Sequence, residues 1–425
     1  MILTLNYTEF YNDVCESIRA FYPDVDIVLG DDGDIAVTAK IHDGAVRSEA
    51  QSRVGEDVKV QSASLNVDVS DFLIQKRMLK RVIKLSVYKL MVDITGQNHP
   101  WGSLTGIRPT KMIYDGGLSY QELNEVYGVS KAKCALLDSI IKNQKAYIDS
   151  PEDSFDIYIG IPFCKTRCVY CSFATNDATK SKLIPQYIDT LIKEIREVSN
   201  YLLSNKKRPR CVYIGGGTPT ALDEYNLERL LNECLIFDPS IEFTVEAGRP
   251  DTINKHKLQI IKNAGVDRIS INPQTMHDST LGLNGRKHSS DEIIKCFDLA
   301  RSVVFNNINM DVIAGLPGEN VAMLCDTLER ILVLAPENVT VHTLSIKRGS
   351  YIAENPHKFP MPSQETAEAM VEKARSMLVD DGYEPYYIYR QKYQNGNLEN
   401  VGYCKPEKQC VYNIDIMEET TSIIA

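Results

Sequence analysis

A single tryptophan occurs in 425 residues, and no apolar run approaches the ~18 residues that a membrane-spanning helix needs. A helical membrane protein is therefore not expected. The opening MILTLNYTEF has no basic stretch leading into an apolar one, so no secretory signal is read and a cytoplasmic location is expected. Basic residues are in deficit: 47 Lys and Arg against 57 Asp and Glu leave a net charge of −10, which argues against broad affinity for nucleic acid. Zinc-ribbon and zinc-finger spacings are missing too, because no second C-x2-C and no H-x3–5-H pair follows the one cysteine cluster. Cys15, Cys134, Cys211, Cys234, Cys296 and Cys325 are scattered singles, a pattern of buried thiols in a reducing compartment rather than of disulfides.

The length suffices for two or three domains with a full core. Residues 1–150 read as one α+β unit whose role the sequence does not disclose. Strand-like runs at Met1–Asn6, Asp26–Leu29 and Ile35–Ile41 surround an amphipathic stretch near Thr8–Phe21. A long helix is expected from Val69 to about Thr95, with Leu73, Leu79, Val82, Ile83, Leu90 and Met91 at three- and four-residue steps. Its other face carries Lys76, Arg77, Lys80, Arg81 and Lys84, either a solvated face or a surface for an anionic partner. The segment Trp101–Pro109 is punctuated as a loop, and 147–155 (YIDSPEDSF) reads as a polar linker.

From Phe155 apolar runs alternate with helical segments. The strand runs are Asp156–Ile161, Cys211–Ile214, Glu242–Glu246, Arg268–Asn272, Asn307–Ala314 and Val339–Leu344, and a further helix is expected near Gln364–Asp380. Six βα steps predict a parallel α/β sheet closed or partly closed into a barrel, with chemistry at the carboxyl ends of its strands.

The candidate chemistry falls at those ends. IPFCKTRCVYCSF places Cys164, Cys168 and Cys171 in a C-x3-C-x2-C array just after the first strand. Three thiolates so spaced can hold three irons of a [4Fe–4S] cube and leave the fourth iron for a small molecule. Gly215-Gly216-Gly217-Thr218-Pro219-Thr220 follows the second strand, where glycines admit a ligand to the backbone or simply make a tight corner. Glu246 ends the third strand, Gln274 the fourth, and Asp311 lies in the fifth; they either read a ligand or cap the following helices.

The cysteine loop, GGGTPT and Gly315-Leu316-Pro317, in this order and spacing, resemble the radical S-adenosylmethionine enzymes. More narrowly they resemble the oxygen-independent coproporphyrinogen III oxidase group. The module containing WGSLTGIRPTK is similar to that of the HemZ branch. This resemblance implies a partial (β/α)6 TIM-type barrel at 151–382 behind the smaller N-terminal α+β domain. It also implies that 383–425 begins a C-terminal region which in the family continues past the point where this chain ends. The implied cofactors are a [4Fe–4S] cluster on Cys164, Cys168 and Cys171, and S-adenosyl-L-methionine. Tyr158, Gly216, Glu246 and Ser345 match positions that contact the cluster-bound S-adenosylmethionine; Tyr170, Gly217, Thr218, Gln274, Arg286 and Asp311 match positions that hold a second one in the HemN branch.

The implied activity is that of a coproporphyrinogen dehydrogenase. A 5′-deoxyadenosyl radical would convert propionates of coproporphyrinogen III to vinyl groups, giving protoporphyrinogen IX in haem biosynthesis. The implied partners are the porphyrinogen (or haem) and an electron donor such as flavodoxin or ferredoxin. HemN-type enzymes carry a further cysteine two residues past the third ligand, where this chain has Phe173. That ending is shared with the HemW haem chaperones, and it implies an alternative function: binding haem and the cluster without decarboxylation. Lys347, Arg348 and Arg286 are candidate partners of substrate carboxylates by position. Tyr383, Tyr386, Tyr387, Tyr389 and Tyr393 either stack on a tetrapyrrole or form one alternating strand against the barrel. Cys404 and Cys410 stand six apart as a lesser candidate for a second metal site.

Overall fold

A computed structural model describes every residue except 24, 67–70, 107, 150–152, 239 and 392–396. It resolves into two compact units: Met1–Leu137 with Arg390–Lys392, and Asp138–Tyr389 with Tyr393–Ala425.

The first unit holds five strands, β1 (Ile2–Leu5), β2 (Val28–Leu29), β3 (Ile35–His42), β4 (Ala45–Val54) and β5 (Asp57–Asn66), in the order β2-β1-β3-β4-β5. The hairpin strands β4 and β5 are absent from the sequence reading. β4 does alternate, burying Val46, Ser48 and Ala50, but small and polar residues on its inward face conceal the pattern. A helix spans Phe72–Thr95, capped by the Asp71 carboxylate on the amides of Leu73 and Ile74 and closed by Gly96 in the left-handed region. The expected start at Val69 lies outside the described residues, as does Ile107 in the following loop. The basic stripe is only partly a solvated face. Lys84 is buried, with Nζ 3.4 Å from the carbonyl of Thr105, and burial pulls its pKa down to about 8. Arg81 is half-buried against Met112.

In the second unit, nine strands form one sheet. β6 (Ser154–Ile161), β9 (Arg208–Gly216), β10 (Glu242–Gly248), β11 (Arg268–Ile271), β12 (Ile308–Ala314) and β13 (Asn338–Thr343) are parallel and adjacent in that order. Helices separate successive strands and begin where the sequence offers caps. Asp223, Asn254, Ser289 and Asn320 each accept a backbone N–H of the first turn, Ser289 in a capping box with Glu292. This is the α/β partial (β/α)6 barrel. β14 (Glu384–Tyr389) and β15 (Asn400–Cys404) add antiparallel beyond β13, and β16 (Ser422–Ile424) adds parallel beside β6. A short parallel pair, β7 (Phe163–Cys164) and β8 (Asn176–Asp177), brackets the cysteine loop.

Three expectations are corrected. Residues 147–148 end a helix (Lys131–Ile148) and 154–155 open β6, so the polar linker shrinks to the few residues between, of which 150–152 lie outside the described residues. β11 stops at Ile271, three residues before Gln274. The tyrosine segment is a strand, but Pro385, Tyr386, Tyr387 and Ile388 are all buried, so it does not alternate; Tyr393 lies outside the described residues. Among the described residues no helix is long and apolar enough to cross a membrane.

Candidate functional site

β6 runs out through Ile161, and Cys164 follows on β7; Cys168 and Cys171 sit on the loop that returns at β8. The loop is tied down by backbone bonds. Asn176 donates to Pro162, Ala178 to Cys164 and Cys171 to Cys168, at 2.8–3.1 Å. The glycine turn after β9 is laced to it, Gly217 donating to Ile161 and Thr218 to Phe163, both at 2.8 Å. A Cβ at Gly217 would lie 2.7 Å from the Phe163 carbonyl oxygen, so only glycine permits this approach. Thr218 Oγ1 stands 3.4 Å from Cys164 Sγ, and Arg286 Nη1 lies 3.8 Å from Cys168 Sγ and 3.4 Å from the Tyr170 hydroxyl. The three cysteines are half-buried, and all eleven cysteines of the chain are free thiols.

A second group lies along the strands. Tyr158 on β6 pairs in register with Tyr213 on β9, and the Tyr213 hydroxyl donates to Glu246 Oε1 at 2.6 Å. Burial raises the Glu246 carboxyl to about 7; the Tyr213 hydrogen bond opposes this and the Asp311 charge adds to it. Gly216 (φ 101°) adjoins the Tyr158 hydroxyl. On β12 Asp311 accepts from Asn309 at 2.7 Å and faces His342 Nε2 at 3.6 Å, while His342 Nδ1 is 3.1 Å from the Tyr389 hydroxyl. Gln274 adopts φ 67° and donates its amide to the Asp311 carbonyl; its buried Oε1 has no hydrogen-bond partner. A cavity of about 510 Å³ is lined by Tyr158, Glu246, Asp311, His342, Tyr389 and, from the cysteine loop, Phe173.

The candidates thus fall into two neighbouring groups. Cys164, Cys168, Cys171, Tyr170, Gly217, Thr218 and Arg286 surround the loop. Tyr158, Gly216, Glu246 and Asp311 belong to the cavity side, with Gln274 behind Asp311. Ser345, Lys347 and Arg348 sit on the segment after β13, where the Lys347 carbonyl accepts from Ser350 Oγ. Cys404 and Cys410 are packed core thiols that burial pushes up to about 12, and Cys410 donates to Glu242, so they do not read as a metal pair. Sequence reasoning missed Tyr213, Arg249 and His342. Tyr213 had a faint signal, since it stands two residues before Gly215 and so shares its face. The donors fit an iron–sulfur cluster: three free thiols on one anchored loop, cations beside them and a turn that excludes any Cβ.

A parallel partial barrel with a three-cysteine loop at the carboxyl end of its first strand is the arrangement of a radical SAM protein. Residues 158–331 match the family model of the Radical SAM superfamily. Over 363 residues the chain is 39% identical to the oxygen-independent coproporphyrinogen-III oxidase-like protein HemZ of Bacillus subtilis, covering 82% of this chain and 72% of that protein. It is 33% identical over 237 residues to the haem chaperone HemW of Bacillus subtilis, covering 54% of this chain and 62% of the chaperone. The solved structure of coproporphyrinogen III oxidase (HemN) from Escherichia coli shares the fold, with a TM-score of 0.52 at 22% identity over 65% of this chain and 59% of that one. The chain belongs to the radical SAM superfamily, in the family of HemZ, the oxygen-independent coproporphyrinogen-III oxidase-like protein. The cofactors of this superfamily are a [4Fe–4S] cluster and S-adenosylmethionine.

Proposed function

We propose that the protein converts propionate side chains of coproporphyrinogen III to vinyl groups without oxygen, yielding protoporphyrinogen IX. The observation that carries this reading is the shared wall. Phe173, two residues past Cys171, lines the tyrosine-rich cavity, so the loop bearing the three thiols opens onto a space walled by aromatic rings. Cys164, Cys168 and Cys171 would hold the cluster; Tyr158, Gly216, Glu246 and Ser345 would hold S-adenosylmethionine. When bound, this pair supplies one-electron reductive cleavage and hence hydrogen-atom abstraction. The protein's share is placement and exclusion of water. Glu246, oriented by Tyr213, offers an acceptor to an amine, and Gly216 leaves room at the Tyr158 hydroxyl. Gln274, Arg286, Asp311, Tyr170, Gly217 and Thr218 are proposed to frame a second nucleoside ligand, and Lys347 and Arg348 to meet substrate carboxylates. A small electron-transfer protein such as flavodoxin or ferredoxin is the proposed reductant.

The HemW relatives, together with phenylalanine at 173, support a second reading, a haem chaperone that does not decarboxylate. Anaerobic incubation of the reconstituted protein with dithionite, S-adenosylmethionine and coproporphyrinogen III separates the two. The enzyme yields CO2 and vinyl products. Stoichiometric haem binding with no product sinks the decarboxylase and leaves the chaperone.

A further inference from the structure

Two guanidinium groups approach the same cysteine from different parts of the chain. Arg249, on the turn after β10, and Arg286, after β11, are both nearly enclosed, at 5% and 6% exposure. Arg249 Nη1 lies 4.0 Å from Cys168 Sγ and donates to the Thr166 carbonyl at 3.1 Å. Arg286 Nη1 is 3.8 Å from the same sulfur, and its Nη2 is fixed on the Asn272 carbonyl at 2.6 Å. The described contact of Cys164 Sγ is instead with a hydroxyl, that of Thr218. The positive charge is therefore gathered on the Cys168 side.

The surroundings keep it there. Asp251 accepts from Arg249 Nε at 3.0 Å and from Nη2 at 3.4 Å, and Lys165 Nζ donates to the Asp251 carbonyl. His288 is sealed between Asp251 and Arg286, its Nδ1 3.8 Å from Asp251 and its Nε2 3.5 Å from Arg286 Nε. Burial first, then the two arginines, hold His288 down to about 4, so the imidazole is neutral and adds no charge. Arg249 and Lys165 thus neighbour Asp251 directly, and Arg286 stands on the far side of His288. Guanidinium stays protonated at any working pH, and buried charges are poorly screened.

We propose that Arg249 is a positioning residue that sets the reduction potential of the cluster, acting with Arg286 through Cys168. This rests on the reading that Cys164, Cys168 and Cys171 hold that cluster. Reduction adds one negative charge to the cluster. A fixed cation at a ligand sulfur stabilises the reduced state and raises the potential, and the Asp251 carboxylate tempers the effect.

The full chain is reconstituted anaerobically with iron and sulfide, and its potential is read by redox titration followed by electron paramagnetic resonance, without substrate. Arg249→Gln is expected to shift the reduction equilibrium at least tenfold against the reduced state, about 59 mV for one electron. Arg249→Lys, which keeps the charge, should stay near the wild-type value. Asp251→Asn, which removes the countercharge, should move the potential the opposite way. A wild-type potential in Arg249→Gln overturns the proposal, and so do shifts of the same sign in Arg249→Gln and Asp251→Asn. Should Arg249→Gln hold no cluster, the sign in Asp251→Asn decides: upward supports the proposal, unchanged or downward overturns it. A wild-type chain that takes up no cluster sinks the ligand assignment, and this proposal with it.

Discussion

Glu246 connects burial to binding at the scale of one residue. Its carboxyl is held near pH 7 chiefly because the charged form loses water, with Asp311 adding repulsion. A pKa raised in the fold means that the acceptor is available above about pH 7 and lost as pH falls through that value. Between pH 8 and pH 6 the charged fraction of such a carboxyl drops about tenfold. S-adenosylmethionine affinity of the reconstituted protein, measured by calorimetry, should therefore fall about tenfold further over that range in the wild type than in Glu246→Gln. Parallel pH profiles would remove Glu246 from the site. Glu246 itself was readable as the last polar residue of an apolar run. Tyr213, which orients it, and Arg249, which reaches Cys168, were not, because each acts on a residue more than thirty positions away.

The antiparallel pair β14–β15 shows what elements add. Gly402 stands opposite Tyr387 in the ladder, and any side chain there would run into the Tyr387 ring, whose hydroxyl is 3.3 Å from Thr340 Oγ1. A glycine inside a strand otherwise weakens it; here it admits the aromatic ring. Gly402→Ala should cost about 1–3 kcal/mol by overpacking, read by denaturant unfolding, and a variant as stable as the parent would refute the packing argument. Legibility follows pattern strength at this scale. The barrel strands carry apolar residues at every second position or more densely and are mostly buried, so β6, β9, β10, β11, β12 and β13 stood out. β4 buries Ser48 and Ala50 beside Val46, and β5 buries Ala63 while exposing Val58 and Val60, which left no clean apolar alternation. The solvated-face reading of Lys76–Lys84 failed at Lys84 because helical spacing turns that position towards the Thr105 loop.

For the second unit as a whole, loading the cluster should act as ligand binding does, stabilising the segments that hold it by mass action. Hydrogen exchange is expected to slow most in 161–178, 215–220 and 284–288 and to leave the helix Ile184–Ser204 unchanged; uniform protection across the unit would contradict a site confined to that mouth. The cysteine spacing, the glycine turn and the βα alternation are local properties, set by neighbours within a few residues, so the amino-acid order alone specified the barrel class and its candidate ligands. Which charges converge on Cys168, which tyrosines line the cavity and which strand Gly402 opposes depend on register and on contacts between distant segments. Those were decided only when the sheet brought them within hydrogen-bonding distance.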